Sequence, residues 1–402
     1  MLGNVLNPAN NPEGLPNSRG RKRGRKKSHL LTKYAQQSIV GLIAFIVAAS
    51  LLSQIIPSPM IPSNIVFIGP KNDYFQAHKD EYNTIFFGSS RVYNHIIPEL
   101  FDTTANQAEG TATAIDDVST EANTAEINSY NFGIPAMRAI DSTVLIEDIL
   151  ADPPKDLKWV FFESILDKGY EPVPNARTHR AMYWHTWENT ALAARYIFTS
   201  DESLPKKAAL FSSHLLPFLY NQMNVGRLFN QVLPSDFSEE EQTVAADFIA
   251  NEGFFALEDD AEPARQALLA NPEGYRESVA SLKAVQANFN AEAPTLSANK
   301  RMLLKRIIKT VRAAGAEPIF LESPGLHLEN DFQAAKRLGV IDNLFSYKDP
   351  EQFPELYHID FRHDADHLNE AGSRAFTTRL AQDFSKAFDN QNVADTTTEA
   401  TK

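Results

Sequence analysis

The chain has 402 residues, of which 43% are hydrophobic and 22% are charged, as in a globular protein of one large or two modest domains. It contains no cysteine, which excludes disulfides, thiol catalysis and thiolate metal sites. Residues 34–402 carry 30 of the 38 basic and 50 of the 51 acidic side chains, so the body of the protein is acidic. An acidic body argues against nucleic acid as the partner.

The amino-terminal segment has the pattern of a membrane anchor. Residues 1–37 are predicted to be a disordered, basic tail, with a run of Lys and Arg at residues 19–27. Residues 38–56 carry no charge over 19 positions, about 28 Å of helix, which is close to the roughly 30 Å core of a bilayer. A basic cluster before one apolar span predicts a single-pass protein of the inner (plasma) membrane, with its amino terminus cytoplasmic and its body periplasmic or extracellular.

Two features around this span refine the prediction. Small residues at 48–50 also fit a cleaved signal peptide, which is the alternative to an uncleaved anchor. Three prolines follow within residues 57–64, and this composition indicates a stiff spacer.

Beyond residue 65 the chain alternates between strand and helix patterns. Strands are predicted at Ile85–Phe87, Ser129–Ile134, Lys158–Glu163 and Glu317–Glu322, and helices at Arg138–Leu150, Lys300–Ala314 and Glu370–Phe388. Strands separated by helices indicate a parallel α/β sandwich, built from residues 65–164 and 300–388.

Three segments interrupt or follow this rhythm. Thr103–Asn128 is rich in Thr, Ala and Asn without periodicity, and we expect a flexible surface insertion there. Residues 165–299 have helical patterns and few strand signals, which predicts a helical insertion or cap over the sheet. Residues 389–402 are predicted to be a disordered tail.

A serine follows the first predicted strand directly. Gly88 allows a sharp turn, and the sequence continues Ser89-Ser90-Arg91. Because open α/β sheets bind ligands just beyond the carboxyl ends of their strands, this position suits a nucleophilic serine. Ser90 is the preferred nucleophile and Ser89 the alternative. An ordinary turn with a serine helix cap would also give this pattern.

A nucleophilic serine needs a general base and a carboxylate that orients the base. An Asp three residues before a His occurs twice near the carboxyl terminus, as Asp360 with His363 and as Asp364 with His367. Spacing leaves both pairs open. Position favours His367, which lies just before a helix that Asn369 is expected to cap, where a loop would meet the carboxyl edge of the sheet.

Three blocks of sequence resemble the SGNH (GDSL-type) hydrolase superfamily. They are Gly-Ser-Ser-Arg at 88–91, Asn-Phe-Gly at 131–133 and Asp-Ala-Asp-His-Leu-Asn-Glu-Ala-Gly at 364–372. The resemblance is to membrane-anchored bacterial members that act on cell-surface polymers. It implies a flavodoxin-like sheet, a triad of Ser90, Asp364 and His367, and oxyanion donors at the N–H groups of Ser90 and Gly133. It also implies that no metal or cofactor is needed.

One block departs from the family pattern. Members of the family carry an Asn after the third strand, and its side chain helps to hold the oxyanion. This chain has Glu163 there, and an ionised Glu has no hydrogen bond to donate. Either another group such as Asn131 fills the place, or the enzyme is slow or selective, or catalysis has been lost.

Further polar residues are candidates for lining a sugar or acyl site. They are Arg91, Asn131, Glu163, Arg177 and His185, the last two in a cluster early in the insertion. The alternative for that cluster is helix surface and core aromatics. A metal site of His179, His185 and His214 is not expected, because the chain lacks a carboxylate motif and the histidines lack i, i+4 spacing. Glu322 and His327, past the last predicted strand, are expected to cap or pack.

These features lead to one main functional expectation. The resemblance implies an esterase or O-acyltransferase that cleaves or transfers an acyl group, acetyl in the first instance, on a cell-surface polysaccharide or cell-wall polymer. A membrane-bound partner would supply the acyl group. The alternative is a catalytically inactive scaffold or carbohydrate-binding protein of the same fold in envelope polysaccharide assembly. A signal-anchored regulator that uses residues 19–27 on nucleic acid or acidic lipid would explain nothing after residue 83.

Overall fold

The computed structural model describes residues 22–55, 67–112, 126–166, 179–222, 239–257 and 262–399. The chain divides into two compact units, Met1–Pro57 and Ser58–Lys402.

The first unit contains one long helix, α1 (Lys22–Ile55). It begins inside the segment that the sequence predicts to be disordered, because the Lys, Arg and Leu residues there are good helix formers. Within the described part of the chain, the structure has no helix with both the length and the apolar character to cross a membrane. The transmembrane helix predicted for residues 38–56 is therefore not confirmed. The predicted spacer at 57–64 lies outside the described residues.

The second unit alternates between strands and helices. Its first half contains α2 (Ile68–His78), β1 (Thr84–Gly88), α3 (Ser90–His95), α4 (Pro98–Ala112), β2 (Ser129–Gly133), α5 (Ala139–Ile149) and β3 (Trp159–Phe162). The described residues that follow contain the helices α6 (His179–Trp184), α7 (Trp187–Thr199), α8 (Leu204–Gln222), α9 (Glu239–Ala250), α10 (Pro263–Ala270) and α11 (Pro272–Ala291). The last part contains α12 (Ala298–Ala313), β4 (Glu317–Glu322), α13 (Asp331–Arg337), β5 (Asn343–Ser346) and α14 (Glu370–Glu399).

All five strands form one parallel sheet in the order β2-β1-β3-β4-β5. This is the strand order of the flavodoxin-like folds. Gly88 lies opposite Gly133, so the carboxyl ends of β1 and β2 are level with each other. The prediction of a parallel α/β architecture is confirmed.

Alternate side chains of the strands fill two cores, one on each face of the sheet. Phe87 points into the core that contains Ile140 of α5 and Ile307 of α12. Its neighbour Phe86 points into the other core, which contains Phe384 of α14. Because successive strand residues face opposite sides, an unbroken apolar run is what a strand covered on both faces requires.

The predicted boundaries of α5 and α12 lie within two residues of those observed, but two predictions need correction. Helix α14 continues to Glu399, through residues 389–399 that the sequence predicts to be a disordered tail. Residues 103–112, predicted to belong to a flexible insertion, continue helix α4, because Phe101 and Ala105 are fully buried in the core shared with α14. Residues 113–125 lie outside the described residues. Asn369 caps α14 as predicted, accepting the Gly372 N–H at 2.9 Å.

The described parts of the predicted insertion, 179–222, 239–257 and 262–297, contain helices and no strand. The segment that follows α9 packs on the α/β domain. Glu252 O accepts the N–H of Asn131 at 3.0 Å, and the Phe255 N–H donates to Tyr93 O at 3.1 Å. The Tyr93 and Phe255 rings stack with their centroids 5.5 Å apart. The insertion therefore forms part of the frame around β2 and α3.

Along the outer edge of β2, backbone N–H and C=O groups make hydrogen bonds to side chains and to the segment after α9. Asp102 Oδ2 accepts the Ser129 N–H at 2.9 Å, and burial raises the pKa of Asp102 to about 7. The buried Lys71 ammonium donates to Asn131 O at 3.0 Å and to Gly133 O at 2.7 Å. These contacts leave no open edge there on which another strand could pair.

Candidate active site

Ser90 lies at the carboxyl end of β1. Strand β1 ends at Gly88, Ser89 caps the next helix by accepting the Arg91 N–H at 3.3 Å, and Ser90 is the first residue of α3. A Cβ atom on Gly88 would lie 2.4 Å from Val92 Cγ2, so glycine lets the helix start this close to the strand. Strand β1 lies between β2 and β3, where the strand order reverses and open α/β sheets bind ligands.

Ser90, His367 and Asp364 form a continuous hydrogen-bonded chain. Ser90 Oγ lies 2.8 Å from His367 Nε2, across 277 positions of sequence. His367 Nδ1 lies 2.8 Å and 3.0 Å from the two oxygens of Asp364. With the Nδ1–H donated to Asp364, Nε2 is free to accept the serine proton, which is the arrangement a general base needs.

The Asp364 carboxylate is held in place by the backbone of its own loop. Its Oδ1 accepts the N–H groups of Asp366 and His367, both at 2.7 Å. Burial acts to raise the pKa of Asp364, but the hydrogen bond and charge of His367 and the two backbone donors outweigh it and lower that pKa to about 2. Asp364 is therefore ionised at neutral pH and able to orient the imidazole.

The structure distinguishes between the two Asp-x-x-His pairs. His363 Nε2 lies 2.6 Å from Glu262 Oε2, so this ring is held by the insertion. Asp360 is exposed and pairs with His358 at 3.3 Å. Of the two pairs, Asp364 with His367 is the one that contacts a serine.

The structure also distinguishes Ser90 from Ser89. Ser89 Oγ donates to Glu163 Oε2 at 2.6 Å, and its N–H donates to the same oxygen at 3.1 Å. The other Glu163 oxygen, Oε1, pairs with the guanidinium of Arg91, and both side chains are buried. Glu163 thus holds the residues on both sides of Ser90, which fixes the turn that presents the serine. In this pairing, the carboxylate accepts hydrogen bonds and donates none.

Gly133 and Asn131 serve a different purpose from the one predicted. The Gly133 N–H donates to Asn131 Oδ1 at 2.9 Å, so it is not directed at a ligand. Asn131 Nδ2 donates to Val92 O and Ile96 O at 2.8 and 2.7 Å, which ties β2 to helix α3. A Cβ atom on Gly133 would lie 2.3 Å from the Tyr93 nitrogen, so glycine allows this close approach. Asn131 is fully buried and cannot line a substrate site.

The remaining candidates lie elsewhere. Arg177 lies outside the described residues. His185 is buried in the insertion, where its Nε2 lies 2.9 Å from His214 Nδ1 and its ring stacks on Trp184. Burial lowers the pKa of His185 to about 3. Among the described residues, no three His, Asp or Glu side chains are arranged to hold a metal ion.

Two buried residues that the sequence did not single out support the triad loop. His95 Nε2 accepts the N–H of Leu368 at 3.0 Å, and burial, with the nearby charges of His367, Arg362 and Arg91, lowers the pKa of His95 well below its usual value. Arg362 donates to Ala365 O at 2.7 Å from within the loop. In the sequence, the local signal for this support is that Arg362 stands next to His363. That position does not predict which group the arginine contacts.

A small polar cavity lies beside this arrangement, at the carboxyl ends of β3 and β4. Arg91, Glu163, Ser164, Ser323, His327 and Lys348 are among the residues that line it. His327 Nε2 lies 3.4 Å from Asp366 Oδ1, so the wall of the cavity adjoins the triad loop. Burial, and next the charge of Arg91, lower the pKa of His327.

Comparison with known proteins gave no relatives: no family model, no curated protein and no solved structure matches this chain.

Proposed function

We propose that this protein is a serine-dependent ester hydrolase or O-acyltransferase of the SGNH type. The observation that supports this proposal is the unbroken chain of contacts from Ser90 Oγ through His367 to Asp364. A buried N-cap turn alone would not need a histidine 2.8 Å from the serine hydroxyl, with a carboxylate behind it.

The proposed reaction has two halves. Ser90 Oγ attacks the carbonyl carbon of an ester while His367 Nε2 takes the hydroxyl proton, and the carbonyl oxygen becomes an oxyanion. The intermediate collapses, the ester C–O bond breaks, and His367 returns the proton to the departing alcohol. Water or a sugar hydroxyl then attacks the acyl-serine with the same proton relay, which gives an acid or a new ester and restores Ser90.

The substrate class rests on the resemblance of the three sequence blocks. We propose an ester-linked acyl group, acetyl in the first instance, on a cell-surface polysaccharide or cell-wall polymer, with a membrane-bound partner as acyl donor in the transferase case. The insertion that packs on α3 and β2 favours transfer where it keeps water from the acyl-serine.

The first experiment identifies the nucleophile by labelling the full-length protein with a fluorophosphonate probe. We expect labelling and turnover of p-nitrophenyl acetate in the wild type, and neither in Ser90→Ala. Ser89→Ala is the matched control, because it removes the neighbouring hydroxyl and its bond to Glu163 but leaves Ser90 and His367. We expect the probe to label Ser89→Ala. Its folding is checked by circular dichroism, because the substitution removes the Ser89 cap of α3.

The results separate the candidate functions. Labelling without turnover would indicate a transferase that lacks its acceptor. Labelling of Ser90→Ala at the wild-type rate would contradict the proposed nucleophile. A folded wild type that neither labels nor turns over would favour the second candidate, an inactive scaffold or carbohydrate-binding protein. Two observations favour that candidate, namely the carboxylate of Glu163 in place of a donor and the occupied N–H of Gly133.

Membrane attachment is a separate proposal, which the helices of the described residues do not support. Its support is the uncharged run at residues 38–56 after a basic cluster, and the large apolar side chains that are exposed on α1. We expect the full-length protein to stay in the membrane pellet after washes with high salt and alkali. A double variant, Val40→Lys with Val47→Lys, should move to the soluble fraction, whereas Ser90→Ala should not. Wild-type protein in the soluble fraction would contradict attachment.

A further inference from the structure

Attack on an ester requires hydrogen-bond donors at the place where the carbonyl oxygen becomes negative. Ser90 is the first residue of α3, and the N–H of a first helical residue has no partner within the helix. A second donor is needed, and the two nearest candidates do not serve. The Gly133 N–H is used by Asn131, and Glu163 accepts hydrogen bonds from Ser89 and Arg91.

The polar cavity contains donors of the right kind. Ser164 and Ser323 both line it, and within the described part of the chain neither hydroxyl has a hydrogen-bond partner. Both residues are buried, at 8% and 3% exposure. Buried hydroxyls are normally paired, so these two are available to an oxygen atom that enters the cavity.

The size of the cavity indicates what it can accept. Its volume is about 30 Å³, enough for one or two water-sized groups. A space of this size admits a carbonyl oxygen or a methyl group, whereas pockets for whole ligands measure roughly 300–1,000 Å³. The cavity therefore has the size of the reacting end of a substrate.

Position decides between the two hydroxyls. Ser164 directly follows Glu163, whose carboxylate binds both residues that flank Ser90. Strand β3, which ends just before Glu163, pairs directly with β1, whereas Ser323 follows β4, one strand further from the nucleophile. The ends of β1 and β3 are also in contact, because a Cβ atom on Gly88 would lie 3.0 Å from Glu163 O.

We propose that the hydroxyl of Ser164 is the side-chain donor of the oxyanion site, acting with the backbone N–H of Ser90. The proposal rests on the proposed function at Ser90. Ser164 Oγ–H donates a hydrogen bond to the carbonyl oxygen, and the bond strengthens as negative charge develops. No proton is transferred to the oxygen, and the proton balance between Ser90, His367 and the leaving alcohol is unchanged.

The test compares Ser164→Ala with Ser142→Ala in the full-length protein. With p-nitrophenyl acetate, we expect kcat of Ser164→Ala to fall about 10²-fold, as for other lost oxyanion donors, with KM within twofold of wild type. The rate of fluorophosphonate labelling should fall in parallel, because the phosphoryl oxygen occupies the same place. Ser142→Ala, which removes a buried hydroxyl of α5 that does not line the cavity, should stay within twofold on all three measures. Ser164→Asn, which returns a donor, should recover part of kcat.

Two results would overturn the proposal. One is a Ser164→Ala variant whose kcat and labelling rate are within twofold of wild type. The other is an equal loss in Ser164→Ala and Ser142→Ala, which would mean that the loss of any buried hydroxyl lowers the rate through packing. If the wild type neither labels nor turns over, this proposal and the proposed function both fall, whereas an active wild type with an unaffected Ser164→Ala overturns this proposal alone.

Discussion

Replacing Asp364 by Asn is expected to lower kcat about 10⁴-fold without unfolding the protein. Asp364 accepts the Nδ1–H of His367 and so keeps Nε2 unprotonated toward Ser90. An Asn amide in the same place can donate to Nδ1, which puts the ring proton on Nε2, where it blocks removal of the serine proton. The measurement is kcat and kcat/KM with p-nitrophenyl acetate, together with the rate of fluorophosphonate labelling.

Asp360→Asn is the matched control for this variant. It removes the carboxylate of the other Asp-x-x-His pair, which is exposed and contacts His358 instead of the triad. We expect its kcat to stay within about threefold of wild type, since surface substitutions away from a site have small effects. Activity that survives in Asp364→Asn and is lost in Asp360→Asn would reverse the assignment of the two pairs.

The pKa of Asp364 adds a pH signature to the same variant. The folded pKa of about 2 lies below the value of about 3.9 expected in the unfolded chain. The group therefore contributes stability that is fully present above about pH 4 and is lost as the pH falls toward 2. Asp364→Asn should lack this component, so its free energy of unfolding should change less than that of wild type between pH 4 and pH 2, in urea titrations.

The sheet was predictable where burial leaves a local pattern. Strand β1 is an apolar run that ends in glycine and serine, and β4 was predicted with its observed bounds. Strand β5 (Asn343–Ser346) was missed because it lies at the edge of the sheet and has only two apolar residues, both half-buried, between two polar ones. Its pattern is too short and too polar to distinguish a strand from a loop.

The residues of the triad were predictable from motif and position, because Ser90, Asp364 and His367 are the residues expected from the sequence and the structure brings them together. The contact that holds the other histidine was not predictable, since His363 bonds to Glu262, 101 positions away. The Gly133 N–H is occupied because of the rotamer of Asn131. The hydrogen bonds that Asn131 makes to Val92 O in α3 and to Ile96 O just after it fix that rotamer. Such contacts form only after the chain has folded, so local sequence does not reveal them.

Lys71 makes a further set of long-range contacts. Its ammonium donates to the carbonyls of Asn131 and Gly133 in β2, and to Gly253 O at 2.6 Å, 182 positions away. It also lies 4.8 Å from the ring centroids of Tyr93 and Phe248. Burial lowers the pKa of Lys71 well below its usual value. Its contacts act in the opposite direction, because three carbonyl oxygens accept its three N–H groups and two ring faces attract its charge.

We expect Lys71→Met to lower the free energy of unfolding by about 3–5 kcal/mol, because each of three buried carbonyls left without a donor costs about 1–3 kcal/mol. Methionine keeps the length and the ring contacts, so the loss reports the hydrogen bonds and charge. Lys155→Met is the control, because this exposed lysine pairs with Asp80 at the surface and its replacement should leave the midpoint of urea unfolding unchanged.

The same variant should also loosen the attachment of the insertion to the nucleophile helix. Lys71 joins Gly253, in the segment after α9, to the end of β2, which packs against α3. Two residues further on, the Phe255 N–H bonds to Tyr93 O of α3. Under conditions in which the variant is still folded, we expect faster hydrogen exchange at residues 253–255 than in Lys155→Met. A change below 1 kcal/mol with unchanged exchange at these amides would mean that the aromatic packing of Tyr93, Phe248 and Phe255 holds the segment without the ammonium.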